Sequence, residues 1–259
     1  MRLSPFALLD ALITPPPQAE RIAFLSAQPY AHRGLHSAQI PENSRAAFSA
    51  AIVLGHGIEL DVQAARDGEA FVFHDARLDR LTDQSGAFAA LTADVLEKIV
   101  LRMSSETIPR LTDILNHVAG RVPILIEIKT IGDKVGVLCL SVRRALEGYQ
   151  GPVAIMSFNP AVGRWFAEHA PRFTRGLVIS ESGAPGIIAA LKRWANRRIG
   201  LWRAKPDFLA YDVHDFPSRF AAAQRKRGLV ILTWTVRTAD DERIALSCAD
   251  EIIYEKANT

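Results

Sequence analysis

Short apolar runs rich in β-formers recur along the chain, with a helix-like segment between most of them. This alternation constrains the fold more than any other property of the sequence. The runs are "IELDV" (58–62), "AFVFH" (70–74), "PILIEIK" (123–129), "VAIMSF" (153–158), "RGLVIS" (175–180), "DFLAYDV" (207–213), "LVILTWTV" (229–236) and "DEIIY" (250–254), with "YAHRG" (30–34) before them all. Helical patterns fall at "SRAAFSAAIVLG" (44–55) and near 111–118, 133–147, 160–169, 185–197, 217–227 and 239–247. Asn43 or Ser44 can cap the first of these, and Gly55 can end it. Strand-helix alternation over this length predicts a parallel sheet covered by helices. The 259 residues match the usual size of a closed (β/α)8 barrel of the TIM type. An open doubly wound sheet is the alternative, but no G-x-G-x-x-G turn supports it.

One pair of runs breaks the alternation. Only "QAARDGE" separates "IELDV" from "AFVFH", too little for a parallel crossover. Asp67-Gly68 predicts a two-residue hairpin turn. That register sets Arg66 opposite Glu69 and Asp61 opposite His74, with Leu60, Val62, Phe71 and Phe73 on one apolar face. With the second arm counted as an addition, eight of the nine strand candidates remain for the barrel. The expected domain is residues 30–259, preceded by an N-terminal extension over 1–29 and carrying the hairpin and a short insertion after it.

The polar residues on these strands stand where apolar ones would pack. Glu59 and Asp61 are two apart and share a face opposite Leu60 and Val62. "LIEIK" repeats the pattern, with Glu127 and Lys129 opposite Ile126 and Ile128. Singly, E-x-D reads as a solvated edge and E-x-K as an ion pair. Together, on otherwise apolar strands, they read as three carboxylates at one end of a barrel. Unpaired buried carboxylates are costly, and oxygen-only ligands suit one hard divalent cation, Mg²⁺ or Ca²⁺. His32 ends the first strand and His74 the hairpin, so two imidazoles can divide acid and base roles there. Arg33 offers a planar fork for phosphate, and Lys129 a point charge. This is equipment for phosphoryl-ester chemistry.

Other classes are excluded or disfavoured. The net charge is only +3, and no basic-aromatic pattern of a nucleic-acid reader appears; "KRWANRR" (192–198) reads as a solvated helix face. Cys139 and Cys248 lack metal-ligand spacing and suit a reducing, cytoplasmic compartment. No uninterrupted apolar stretch of about 18 residues predicts a membrane span. "MRLSPFALLDALITPPP" reads as a helical turn or two ending at Pro15, rather than a signal peptide.

The chain resembles the glycerophosphodiester phosphodiesterases, within the wider phospholipase-C-like (β/α)8 group. The resemblance runs through "AHRG" (31–34), "PENS" (41–44), "IELDVQAARDGEAFVFHD" (58–75), "LDRLTDQSG" (78–86), "IPRLTDIL" (108–115), "IEIK" (126–129), "SFNP" (157–160) and "WTV" (234–236). It implies His32 and His74 as the acid/base pair, Glu59, Asp61 and Glu127 as metal ligands, and Arg33 and Lys129 on the phosphate. It implies Trp234 on the glycerol side, with Glu42 and Asn43 in support. The implied reaction releases sn-glycerol 3-phosphate and an alcohol from a small-molecule glycerophosphodiester. The departures are Arg237 where the family usually has Asn, a closing strand that reads "ADEIIYEKAN", and "VLRMSSET" inside the insertion. Arg237 and the insertion motivate one alternative, a phosphodiesterase on lysophospholipids or other lipid-derived diesters. A second, outside enzymes, is a non-catalytic phosphate-ligand-binding barrel; such a protein should have lost a metal ligand or a histidine, and none of the five is missing.

Overall fold

A computed structural model describes residues 10–130, 132–182 and 187–256 of the protein. The described residues form nine strands: β1 (Tyr30–Ala31), β2 (Gly57–Ala64), β3 (Ala70–Val72), β4 (Ile124–Ile128), β5 (Val153–Ser157), β6 (Thr174–Ile179), β7 (Phe208–Asp212), β8 (Val230–Val236) and β9 (Glu251–Tyr254). The longer helices are α1 (Arg45–Val53), α2 (Leu111–Val118), α3 (Gly136–Ala145), α4 (Pro160–His169), α5 (Ile187–Ala204), α6 (Arg219–Lys226) and α7 (Ala239–Cys248). Local chemistry sets their ends. Ser44 Oγ accepts from Ala47 N at 3.1 Å to open α1, and Gly55 follows it with φ +69°. Asn159 opens α4 with Pro160 behind it, and Thr238 and Asp241 form a capping box on α7. The turns expected before Pro15 fall partly on residues 1–9, outside the described residues; residues 10–13 are helical. The first residues of the helix expected near 185 are outside them too.

The strand order is β1-β9-β8-β7-β6-β5-β4-β2-β3, and β1 also pairs with β2. Eight strands therefore close a cycle, the topology of a (β/α)8 barrel, with β3 added antiparallel to β2. One edge of β2 serves two neighbours in turn. Gly57 and Ile58 pair with Tyr30 and Ala31, and Val62–Ala64 pair with β3. This is possible because β1 is only two residues long.

The chain packs as two compact units: Met1–Ala27 with Ala154–Ile253, and Gln28–Val153 with Tyr254–Thr259. In the first, Leu177, Leu201, Leu209, Tyr211, Phe220 and Ile231 share a core. The N-terminal segment belongs to it: buried Asp10 accepts from Arg198, Trp202 and Gln224 at 2.7, 3.1 and 3.2 Å. The second unit holds β1–β4 and, with them, His32, Glu59, Asp61, His74 and Glu127.

The hairpin departs from expectation by one residue. Val62 pairs with Val72 and Ala64 with Ala70, and Ala65 N donates to Glu69 O. The loop is thus Arg66-Asp67-Gly68, three residues rather than two. A two-residue type I′ turn needs positive φ at both central positions, but of this pair only Gly68 (+88°) has it. Gly68 N donates to Ala65 O, as in a turn closed by one left-handed glycine, and Asp67 instead accepts from Ala93 N. Phe73, not His74, stands opposite Asp61, its N–H donating to Asp61 O at 3.0 Å. Phe71 and Phe73 do not join Leu60 and Val62 in one apolar face. They pack against the insert (76–110) with Leu78, Leu96, Ile99, Leu101 and Ile108, Phe88 stacking on Phe73 at 5.2 Å.

Candidate active site

β2 and β4 lie parallel with Asp61 beside Glu127, so both carboxylates project to the same side, and Glu59, two residues earlier, joins them. Carboxylate oxygens of Glu59, Asp61 and Glu127 lie within 4.8 Å of one another. All three are buried: Glu59 and Asp61 are 1% exposed and Glu127 9%. Leu60, Ile126 and Ile128 on the alternate positions are fully buried in the core. The parity expected from the two sequence patterns is present.

Three negative groups in so little water need positive charge nearby. Two cations supply part of it. Lys129 Nζ lies 2.8 Å from Glu127 Oε1 and 3.1 Å from Asp61 Oδ1. Arg33 Nε lies 3.3 Å from Asp61 Oδ2, and the Arg33 backbone N–H donates to Glu59 Oε2 at 3.0 Å. Asn43 Nδ2 donates to Asp61 Oδ2 at 3.0 Å. Asn43 therefore supports a carboxylate, while Ser44 does the capping. Burial raises the Asp61 carboxyl, but Lys129, Arg33, His74 and His32 outweigh it and hold the group below its ordinary value. Glu59 has less help. Burial, then Asp61 and Glu127, push its carboxyl well above the ordinary value. Glu127 is raised by burial and by Asp61, against the pull of Lys129. Glu59 Oε1 is buried and accepts no hydrogen bond. An all-oxygen donor set with an unpartnered carboxylate oxygen fits a hard divalent cation.

His32 follows β1 directly, where Arg33 (φ +56°) and Gly34 (φ +79°) turn the chain off the sheet. Its Nδ1 meets Glu255 Oε1 at 2.5 Å, and its Nε2 lies 3.9 Å from Glu59 Oε2. Because an ionised carboxylate only accepts, Nδ1 carries the proton and Nε2 faces the cluster with its lone pair free. Burial lowers the His32 pKa, opposed by the bond to Glu255. His74 Nδ1 meets Asp75 Oδ1 at 2.6 Å, so its Nε2 is likewise the open nitrogen. The His74 ring also acts electrostatically on Asp61, helping to hold that carboxyl down.

Trp234 is partly buried on β8 in the other unit. Its Nε1 donates to Ala210 O at 3.1 Å, and its ring meets the edge of Phe158 at 5.5 Å. Arg237 follows β8 with an exposed side chain, and its N–H donates to Asp241.

Three partners were not legible in the sequence as such. Glu255 directly follows β9, the neighbour of β1, as His32 follows β1; strand adjacency was the missing signal. Asp75 is next to His74 in sequence, yet nothing local showed that it would turn back onto the ring. Arg80, in the insert, carries no local signal.

The fold is that of a (β/α)8 barrel, and it carries a buried carboxylate cluster that could hold a metal ion. A phosphodiesterase from Oleispira antarctica, solved with the product sn-glycerol-3-phosphate, superposes with a TM-score of 0.75 at 22% identity, over 88% of this chain and 92% of that one. The glycerophosphodiester phosphodiesterase of Thermotoga maritima gives 0.68 at 24% identity, over 88% and 94%. In sequence, a glycerophosphodiester phosphodiesterase of Caldanaerobacter subterraneus subsp. tengcongensis is 28% identical over 250 residues, covering 88% of this chain and 94% of that protein. Residues 32–256 match the model of the glycerophosphoryl diester phosphodiesterase family, and the chain belongs to that family. It is accordingly an enzyme, a phosphoric diester hydrolase. No helix among the described residues is long and apolar enough to cross a membrane.

Proposed function

We propose that the enzyme uses one divalent cation, Mg²⁺ or Ca²⁺, to cleave small glycerophosphodiesters into sn-glycerol 3-phosphate and an alcohol. The observation that carries this reading is the buried Glu59-Asp61-Glu127 cluster, with its unpartnered oxygen, set beside an imidazole whose outer nitrogen is tied back. Support for the product comes from the Oleispira phosphodiesterase, which holds that compound. Glu59, Asp61 and Glu127 would hold the cation, which supplies positive charge to the phosphate oxygens. Lys129 and Arg33, now neutralising the carboxylates, would turn their charge to the phosphate once the cation takes over that task. One imidazole Nε2 accepts the proton of the attacking oxygen, either a glycerol hydroxyl or water. The other, protonated, gives its proton to the alkoxide as the P–O bond breaks. His32 and His74 fill these roles, and Trp234 would serve the glycerol side through its ring, since its N–H is committed to Ala210. The single catalytic domain over 30–259 and the cytoplasmic location belong to the same proposal; the free cysteines Cys139 and Cys248 support the latter.

The test is release of glycerol 3-phosphate from a panel of glycerophosphodiesters and lysophospholipids, with and without chelator. Turnover of the small diesters that chelation abolishes and Mg²⁺ or Ca²⁺ restores is the expected result. Binding without turnover under any divalent cation would overturn it. A cyclic phosphate in a stopped reaction would identify the glycerol hydroxyl as the attacking group.

A further inference from the structure

The guanidinium of Arg80 is spent on two carboxylates. Nε and Nη2 donate to Asp75 at 2.6 and 2.9 Å, and Nη1 and Nη2 donate to Glu42 at 2.8 and 2.7 Å. Four of about five N–H donors are thereby used, which leaves no fork for a phosphate. Each carboxylate passes the constraint inward. Asp75 accepts from His74 Nδ1 at 2.6 Å, and Glu42 accepts from Arg33 Nη1 at 2.8 Å. The alternating chain Arg33-Glu42-Arg80-Asp75-His74 thus joins the loop after β1 to the turn after β3.

The insert is held firm where Arg80 leaves it. Arg102 Nη1 donates to the carbonyls of Asp79 and Arg80 at 2.9 and 3.0 Å, and its Nε to Asp83 at 2.9 Å. Glu106 accepts from Arg45 N and Ala46 N at 2.8 and 3.0 Å, fixing the first turn of α1 just after Glu42, Asn43 and Ser44. Both residues come from "VLRMSSET", the stretch in which this chain departs from its family's pattern.

We propose that the insert braces the active site, and that Arg80 is a positioning residue that aims His74 through Asp75 and Arg33 through Glu42. The proposal rests on the roles given above to His74 and Arg33. Without Arg80, Asp75 and Glu42 are left with one partner each among these bonds. Asp75 is then free to rotate, and the His74 ring loses the fixed partner that sets its orientation through Nδ1.

The experiment measures kcat and KM for glycerophosphocholine at saturating divalent cation, in wild type, His74→Ala, Arg80→Ala, Arg80→Lys and Asp75→Asn, and in Arg80→Ala combined with Asp75→Asn. Loss of an orienting partner is worth about 10–100-fold. Arg80→Ala should lose that factor in kcat with a near-native melting temperature, and millimolar guanidinium ion should restore part of it. Arg80→Lys should lie between, since an ammonium cannot bridge both carboxylates. In the Asp75→Asn background the Arg80→Ala change should cost much less than alone. A kcat within twofold of wild type for Arg80→Ala overturns the brace. So does a loss that is fully additive with Asp75→Asn and unmoved by guanidinium. If Arg80→Ala does not fold, Arg80→Lys carries the same comparison. An inactive wild type, or an active His74→Ala, overturns the proposed function itself. An active wild type with inactive His74→Ala and near-native Arg80→Ala removes the brace alone.

Discussion

At Gly34 the loop bearing His32 and Arg33 packs tightly against α1. A Cβ placed there would meet Ala47 Cβ at 2.8 Å, Ala47 C at 2.9 Å and Phe48 Cδ1 at 2.9 Å, and its φ is +79°. Gly34→Ala therefore suffers twice. The left-handed backbone costs about 1–2 kcal/mol, partly offset by about 0.4–1 kcal/mol from the less flexible unfolded chain. Forcing a methyl against backbone and a buried ring adds about 1–3 kcal/mol. The sum is about 1–5 kcal/mol, a substantial share of the roughly 5–15 kcal/mol that holds a typical domain together. Gly55 is a built-in control, because its φ is +69° but nothing lies within 4 Å of its added Cβ. Gly55→Ala should lose only the backbone part, about 1 kcal/mol or less. Urea unfolding of both variants in the presence of chelator, which removes any contribution from bound metal, reads the difference. Gly34→Ala should have the lower midpoint at an unchanged slope, with kcat reduced because His32 and Arg33 move with the loop. Equal midpoints for the two variants would refute the packing argument.

Three further outcomes follow from the same geometry. Burial raises Asp75, but bonds from Arg80 and His74 win and bring it to about 2 from 3.8, so its contribution to stability is present above about pH 4 and is lost as pH falls toward 2. Solvent access reduces that contribution to roughly 1 kcal/mol or less; Asp75→Asn should flatten this part of an acid-unfolding curve, and an unchanged curve would contradict the assignment. In Glu255→Gln the His32 ring loses the interaction that opposes burial, so NMR titration of the metal-free protein should show His32 titrating at lower pH than in wild type. Phe88→Ala removes the ring stacked on Phe73 and should cost about 3–5 kcal/mol, read by thermal or urea unfolding.

The fold was legible because strand and helix periods differ. Helices 111–118 and 160–169 coincide with α2 and α4; α4 opens on the local signal Asn159-Pro160, whereas α2 begins after Arg110 without a capping side chain. The carboxylate parity was legible for a related reason: a period of two in "IELD" and "LIEIK" leaves one choice of face once the apolar residues are assigned inward. The hairpin register was not, because Asp-Gly serves both two-residue and three-residue loops, and the choice fell to the insert. Asp67 is drawn to the amide of Ala93, and Phe71 and Phe73 to Phe88, contacts 15 to 26 residues away in sequence. Glu255 was hidden for the same reason on a larger scale, since only closure of the strand order sets β9 beside β1.

That closure has a consequence for the timing of synthesis. Glu255 lies 223 residues beyond the histidine it holds. At about 5–20 residues per second, His32 leaves the ribosome roughly 10–45 seconds before its partner exists. During that interval Glu59, Asp61 and Glu127 can all be present, yet no carboxylate from β9's end fixes the proton on His32 Nδ1. The growing chain thus carries the three clustered carboxylates early and the carboxylate that sets the His32 tautomer last.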